Sequence, residues 1–97
     1  MYEYRLTMEY KVEQIKELLR EQYDYPSADI TVTAEQLYKM SEYGRQIFRS
    51  FVETGVLPDV SFHGLSIQEM YKQRPNYSPI AIIIIYDGLV SAISKQE

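Results

Sequence analysis

Residues 77–90, "YSPIAIIIIYDGLV", constrain the fold more than any other part of the sequence. Five isoleucines occupy positions 80 to 85, and an Asp-Gly pair follows at residues 87 and 88. A β-branched run before Asp-Gly is typical of a strand that turns into a hairpin. Ser78 and Pro79 are instead typical of a helix start, with serine as the N-cap and proline in the first helical position.

The pattern after the Asp-Gly pair favours the helix. One helical face carries apolar residues only, namely Ile82, Ile85, Tyr86, Leu89, Val90 and Ile93. A glycine at position 88 costs a helix about 1 kcal/mol. Each large apolar side chain that the helix buries contributes about 1.5–3 kcal/mol, which outweighs that cost. We therefore predict a helix over residues 79–94, with a β-hairpin at Asp87-Gly88 as the alternative.

Two further helices are predicted in the first half of the chain. Helix-forming residues at helical spacing predict a helix over about residues 8–23, while residues 2–6 are extended or a helical run-in. The second covers residues 34–54, because Thr33 and Gln36 match a capping box and Gly55 matches a C-terminal cap. Within it, Gly44 leaves room for a neighbouring element to pack closely.

The middle of the chain predicts shorter elements. Ser66 followed by Glu69 indicates a helix start, and the helix continues to about residue 72 before Pro75. The segments "ITV" at 30–32 and "VSF" at 60–62 are candidates for a pair of short strands.

These elements together predict the fold class. We expect an all-α protein, a small bundle of three to four helices whose last two form a helix-turn-helix-like pair. Residues 1–97 are expected to form a single small globular domain. The alternative is an α+β fold with a C-terminal hairpin at Asp87-Gly88.

Charge and composition disfavour several classes of protein. The formal net charge is −4, whereas a chain that neutralises nucleic-acid phosphates usually carries a basic surplus. The absence of cysteine removes disulfides and thiolate metal sites, and fits a cytoplasmic protein. The longest apolar run, residues 80–86, is too short to span a bilayer. We expect neither nucleic-acid binding nor membrane insertion.

No pattern of residues predicts catalysis. His63 is the single histidine, and Asp59 and Ser61 lie near it in sequence. Proximity in sequence does not establish the hydrogen-bonded geometry that a nucleophile and its base require. Neither the spacing of a metal site nor a glycine-rich nucleotide loop is present. We therefore expect no enzyme, with no catalytic residue, cofactor or metal ion.

The helix-turn-helix-like segment 66–94 raises the alternative of a DNA-associated transcriptional regulator. A DNA reader places arginine, lysine, asparagine or glutamine on the early turns of its second helix. Residues 79–84 here are proline, alanine and isoleucine. The segment is therefore interpreted chiefly as a packing unit.

The isoleucine run predicts an interface instead. In a helix, residues 80–86 cover the whole circumference with apolar side chains, so the side that faces away from the core requires a cover. The expected interface residues are Ile80, Ile83, Ile84, Tyr77 and Tyr86. We expect a non-enzymatic protein that acts through protein–protein interaction, with a second copy of the chain as one candidate partner. A composition rich in lysine, tyrosine and isoleucine suggests a bacterial or phage adaptor or regulator.

Overall fold

The fold is all-α, as the sequence predicts. A computed structural model describes residues 11–96, and 72% helix makes the protein mostly helical. The described residues form five helices, rather than three to four, and one two-stranded hairpin. These are α1 (Val12–Tyr23), α2 (Ser27–Tyr38), α3 (Glu42–Thr54), β1 (Ser61–Phe62), β2 (Leu65–Ser66), α4 (Ile67–Gln73) and α5 (Pro79–Gln96).

The chain divides into two compact units, Met1–Lys39 and Met40–Glu97. The prediction of a single domain over residues 1–97 stays a prediction. The interpretation of residues 2–6, and the first turn of the predicted helix 8–23, lie outside the described residues.

In the first unit, α1 and α2 pack against each other. The buried residues of α1 are Ile15 and Leu19. Those of α2 recur at helical spacing, and they are Ile30, Thr33, Ala34 and Leu37. Asp24 ends α1 in a left-handed conformation, with φ of 49°. Pro26 then precedes α2, so the two helices are joined by a short connection.

The predicted continuous helix over 34–54 is wrong, because α2 ends at Tyr38 and α3 begins at Glu42. Ser41 starts the new helix: its backbone is extended, with ψ of 168°, and its Oγ accepts a hydrogen bond from the Gly44 N–H at 3.2 Å. The predicted cap at Thr33 is also wrong. Thr33 is buried in the middle of α2, whose apolar face overrides the β-branched character of residues 30–33.

In the second unit, α3 and α4 both pack against α5. The core of this unit consists of buried apolar residues from the three helices and from the connector after α3. They are Ile47, Phe48, Phe51, Leu57, Ile67, Met70, Ile80, Ile82, Ile83, Tyr86 and Val90. The predicted C-terminal cap of α3 is confirmed, since Gly55 has φ of 81° and its N–H donates to the Phe51 carbonyl at 2.8 Å.

A tight hairpin links α3 to α4. Ser61 pairs with Ser66 and Phe62 with Leu65 in antiparallel register, so the predicted pairing of segments 30–32 and 60–62 is wrong. The turn consists of His63 and Gly64, whose φ angles are 51° and 83°. Two consecutive residues with positive φ give the strand-matched turn of a two-residue hairpin. Ser66 then caps α4, because its Oγ accepts from the Glu69 N–H at 3.2 Å, as predicted.

The helix over residues 79–94 is confirmed, and the alternative hairpin at Asp87-Gly88 is wrong. Ser78 caps α5 through a 3.1 Å hydrogen bond from the Ala81 N–H, and Pro79 occupies the first helical position. The helix continues through Gly88 to Gln96. The burial of the isoleucine-rich face stabilises the helix by more than the low helix propensity of the exposed Gly88 destabilises it.

Gly44 has the close neighbour that its position in the sequence predicts. A Cβ atom placed on it would lie 2.6 Å from Cγ and 3.0 Å from Cβ of Asp87 on α5. The absence of a side chain on α3 therefore lets Asp87 of α5 reach the first turn of that helix.

Candidate functional site

The structure separates the five residues of the predicted interface. Ile80, Ile83 and Tyr86 are core residues, with 2%, 0% and 0% of their surface exposed. Their side chains are packed inside the chain itself. Ile84 is half-buried on α5, and Tyr77 is 46% exposed before it. The predicted interface stays a prediction, and Ile84 and Tyr77 are its members with exposed surface.

Tyr86 illustrates why a run that is apolar all round is largely internal. Its hydroxyl donates a hydrogen bond to the Leu65 carbonyl at 2.7 Å, which fastens the hairpin to α5. Its ring centroid lies 6.4 Å from that of Tyr43 on α3. Burial, and then the hydrogen bond and charge interaction with Tyr43, raise the pKa of Tyr86 well above its usual range. Tyr86 is therefore a neutral hydrogen-bond donor of the core.

His63 has a structural explanation. It lies exposed in the hairpin turn, and its ring contacts that of Phe62 edge-on, with 4.5 Å between the centroids. Within residues 11–96, no group of three or more histidine, aspartate or glutamate side chains is arranged to hold a metal ion. The turn geometry accounts for the position of His63 without reference to catalysis.

The first turns of α5 carry apolar side chains where a DNA reader carries polar ones. Ile80, Ile82 and Ile83 on the first turns of α5 are buried. The more exposed positions of those turns carry Pro79, Ala81 and Ile84, which lack the donors and acceptors that read a base edge. The alternative of a DNA-associated regulator therefore receives no support from the first turns of α5 and stays a prediction.

An open groove lies where α3, α4 and the start of α5 meet. Its volume is about 300 Å³, and it is largely apolar. The residues that line it are Phe51, Gly55, Val56, Leu57, Gln68, Tyr71, Lys72 and Pro79. Phe51 and Leu57 are nearly buried, whereas Val56 is 63% exposed and Tyr71 is 36% exposed. The groove thus combines a buried apolar floor with an exposed apolar rim, which is typical of a binding surface.

The end of α3 creates the groove. Gly55 takes the left-handed conformation that ends the helix, and the chain then leaves in a new direction. The Thr54 Oγ1 accepts a hydrogen bond from the Val56 N–H at 3.2 Å, which fixes the first residue of the connector. Leu57 turns into the core, so Val56 beside it remains outside.

A side-chain hydrogen bond joins two residues that line the groove. The Nε2 atom of Gln68 on α4 donates to the Leu57 carbonyl at 3.1 Å. This bond ties the connector to α4 and satisfies a backbone acceptor that the irregular segment leaves without a helical partner.

Lys72 supplies the charge at the groove. Its Nζ lies 3.6 Å from the Glu69 carboxylate, and the two side chains are 72% and 62% exposed. An ion pair in this environment contributes between zero and about 1 kcal/mol. The Lys72 ammonium group can therefore pair with the carboxylate of a binding partner in place of Glu69.

Sequence reasoning missed the groove, although one signal for it was present. Val56 and Leu57 are two apolar residues directly after the glycine cap of α3, and a single connector rarely buries two consecutive side chains on the same side. That Tyr71 and Pro79 would meet them depends on how α4 and α5 pack, which no local pattern encodes.

Comparison of the chain with known protein families, with curated proteins and with solved structures returned no match. Within the described part of the chain, no helix combines the length and the apolar character needed to cross a bilayer.

Proposed function

We propose that the protein is non-enzymatic and acts by binding another protein, with the groove between α3, α4 and α5 as its docking site. The observation that carries this proposal is the exposure of Val56, 63% of whose surface faces solvent at the edge of a nearly buried apolar floor. Covering such a side chain is favourable because it removes apolar surface from water.

The chemistry of the lining supports binding rather than catalysis. The floor consists of Phe51 and Leu57, and the rim of Val56 and Tyr71. A tyrosine at an interface offers a large apolar area together with a polar tip, and loses little conformational entropy on binding. An adaptor or regulator needs such a surface and no reactive group.

Site-specific photo-crosslinking tests the proposal. A photoreactive phenylalanine analogue replaces Val56 in the full chain, which is then expressed in the cells where the protein occurs. The matched control carries the same analogue at Leu89, which is 43% exposed on α5 and does not line the groove. Irradiation should give a discrete protein adduct from position 56, and excess unlabelled protein should suppress it.

Two results would contradict the proposal: no protein adduct from position 56, or the same adducts at equal yield from positions 56 and 89. Mass spectrometry of the adduct distinguishes a second copy of this chain from a different protein. Both substitutions are at exposed positions, so the far-ultraviolet circular dichroism spectrum of each variant should match that of the parent protein.

A further inference from the structure

We infer that the groove recognises a segment of a partner protein in which a bulky apolar side chain lies next to an aspartate or glutamate. This inference rests on the proposed function, because it names the chemistry of the partner at the same groove. It follows from three properties of the lining: its apolar floor, its single sign of charge and the hydrogen-bonding capacity of Gln68.

The floor selects a bulky apolar side chain. Phe51 is 5% exposed and Leu57 is 8% exposed, so both present packed apolar atoms to the groove. The volume of about 300 Å³ is at the lower end of the range of about 300–1,000 Å³ that is usual for small-molecule pockets. An open groove of this size suits one or two side chains of a peptide, with the remainder of the peptide in solvent.

The rim selects a negative charge. Among the described residues that line the groove, Lys72 alone carries a full charge, and that charge is positive. The Glu69 carboxylate, which pairs with Lys72, is held only by an exposed contact and contributes at most about 1 kcal/mol. A carboxylate that arrives together with an apolar anchor can replace it, whereas a cationic side chain would be repelled.

Gln68 favours a polypeptide as the occupant. Its Nε2 already donates to the Leu57 carbonyl, which fixes the orientation of the amide. Its Oε1 can then accept a hydrogen bond from a backbone N–H, and its second Nε2 hydrogen can be donated to a carbonyl. A peptide backbone offers both groups at regular spacing.

Nuclear magnetic resonance titration of the full ¹⁵N-labelled chain tests the inference at low salt. The probes are two short peptides with the same central Leu-Leu pair, flanked by aspartates in one and by lysines in the other. The aspartate peptide should shift the amide signals of residues 51–57 and 68–72. It should bind more tightly than the lysine peptide by roughly two- to fivefold, the ratio that an exposed ion pair supplies.

Variants assign the preference to Lys72. Lys72→Glu should abolish or reverse the preference for the aspartate peptide. Lys95→Glu makes the same change of charge near the end of α5, away from the groove lining, and should retain the preference. Both lysines are exposed, so an unchanged amide spectrum outside the substituted region establishes that each variant is folded.

Several results would overturn the inference. Equal affinity of the two peptides for the groove would show that the groove binds a peptide but does not prefer an acidic one, which refutes the inference. Shifts confined to other residues, or no shifts with either peptide at millimolar concentration, would also refute it. The crosslinking experiment at Val56 uses the native partner instead of these peptides, so its outcome tests the proposed function separately.

Discussion

The carboxylate of Asp87 in the middle of α5 accepts a hydrogen bond from the backbone N–H of Ser41, the N-cap of α3, with 3.4 Å between Oδ2 and N. The Ser41 hydroxyl also donates to Oδ1 of the same carboxylate, while its oxygen accepts from the Gly44 N–H. Asp87 is only 7% exposed. Its charge therefore lies at the positive end of the α3 dipole, and the contact ties α5 to the start of α3.

Asp87→Asn should destabilise the fold. The amide keeps the volume of the carboxylate but lacks its charge. Its one oxygen can accept only one of the two hydrogen bonds that Ser41 donates, because Nδ2 is itself a donor. Loss of a partly buried, charge-assisted hydrogen bond costs about 1–3 kcal/mol. Urea denaturation should show this decrease in the free energy of unfolding with an unchanged slope. Stability equal to that of the parent protein would show that the contact does not stabilise α3.

Ser41→Ala should cost about 0.5–2 kcal/mol through the loss of the cap. Because Ser41 and Asp87 share their hydrogen bonds, the effects of the two substitutions should not add. The double variant should be more stable than the sum predicts, with a coupling energy of at least about 0.5 kcal/mol. Strict additivity in this cycle would contradict a direct interaction.

Gly44→Ala should destabilise the fold, although alanine is the better helix former. The new Cβ would lie 2.6 Å from Cγ of the buried Asp87 side chain. Overpacking of this kind costs about 1–3 kcal/mol, against a gain in helix propensity of about 1 kcal/mol. The cost should be smaller in an Asp87→Ala background, where the contact with Cγ is absent and only the 3.0 Å approach to Cβ remains. A destabilisation of the same size in both backgrounds would show a different cause.

Gly88→Ala is the matched control on α5. Gly88 is exposed, and an added Cβ would meet nothing within 4 Å. The variant should be stabilised by up to about 1 kcal/mol, because alanine favours the helix and restricts the unfolded chain. Thermal denaturation should show a rise in Tm. A fall would indicate that residue 88 does not adopt a helical conformation.

Local signals predicted helix ends more reliably than helix continuity. Ser66, Ser78 and Gly55 were predictable as caps because the chemistry of a cap resides in one residue and its next turn. The break at residues 39–41 was not, since helix-forming residues stand on both sides of it. Ser41 was the local clue, but a serine inside an apolar pattern is also tolerated on a helix surface.

The Asp-Gly pair at residues 87 and 88 shows how one dipeptide can mislead. In isolation it is a turn signal, but here its two residues have separate roles: Asp87 binds Ser41, the N-cap of another helix, and Gly88 lies on the surface. The buried Asp87 carboxylate is explained by its hydrogen bond to Ser41, which lies 46 residues away in the sequence. The two-residue turn is formed instead by His63 and Gly64, both with positive φ. Asn-Gly is the usual sequence signal for such a turn, and His-Gly is not.

The interface residues were predicted because residues 80–86 are apolar on every side of the helix. This pattern does not distinguish a helix in the centre of the core from a surface helix that binds a partner. Helices α3 and α4 both pack on α5, and this packing places Ile80, Ile83 and Tyr86 in the core. The groove could not be predicted because Val56, Tyr71 and Pro79 come together only through tertiary packing.

Gly64→Ala should destabilise the hairpin. Gly64 has φ of 83°, and an added Cβ would meet no other atom within 4 Å, so any cost arises from the backbone alone. A left-handed conformation costs an alanine about 1–2 kcal/mol. Gly88→Ala, the same substitution in a helical conformation, is the control. Equal effects of the two substitutions on the denaturation midpoint would contradict the positive φ at residue 64.

Tyr86→Phe should destabilise the protein at neutral pH and reduce the loss of stability in alkali. The Leu65 carbonyl loses its 2.7 Å hydrogen bond, at a cost of about 1–2 kcal/mol. Burial, and to a lesser extent Tyr43, raise the pKa of Tyr86 in the folded chain, so above about pH 10 the unfolded chain loses a phenolic proton that the folded chain retains. The stability that this group contributes is complete below pH 10 and decreases as the pH rises further.

Urea denaturation from pH 8 to 11 should therefore show a shallower decrease in stability for Tyr86→Phe than for the parent protein. Tyr77→Phe, at an exposed position, is the control. Parallel curves for the parent and for Tyr86→Phe would show that Tyr86 titrates in the folded protein as it does in the unfolded chain.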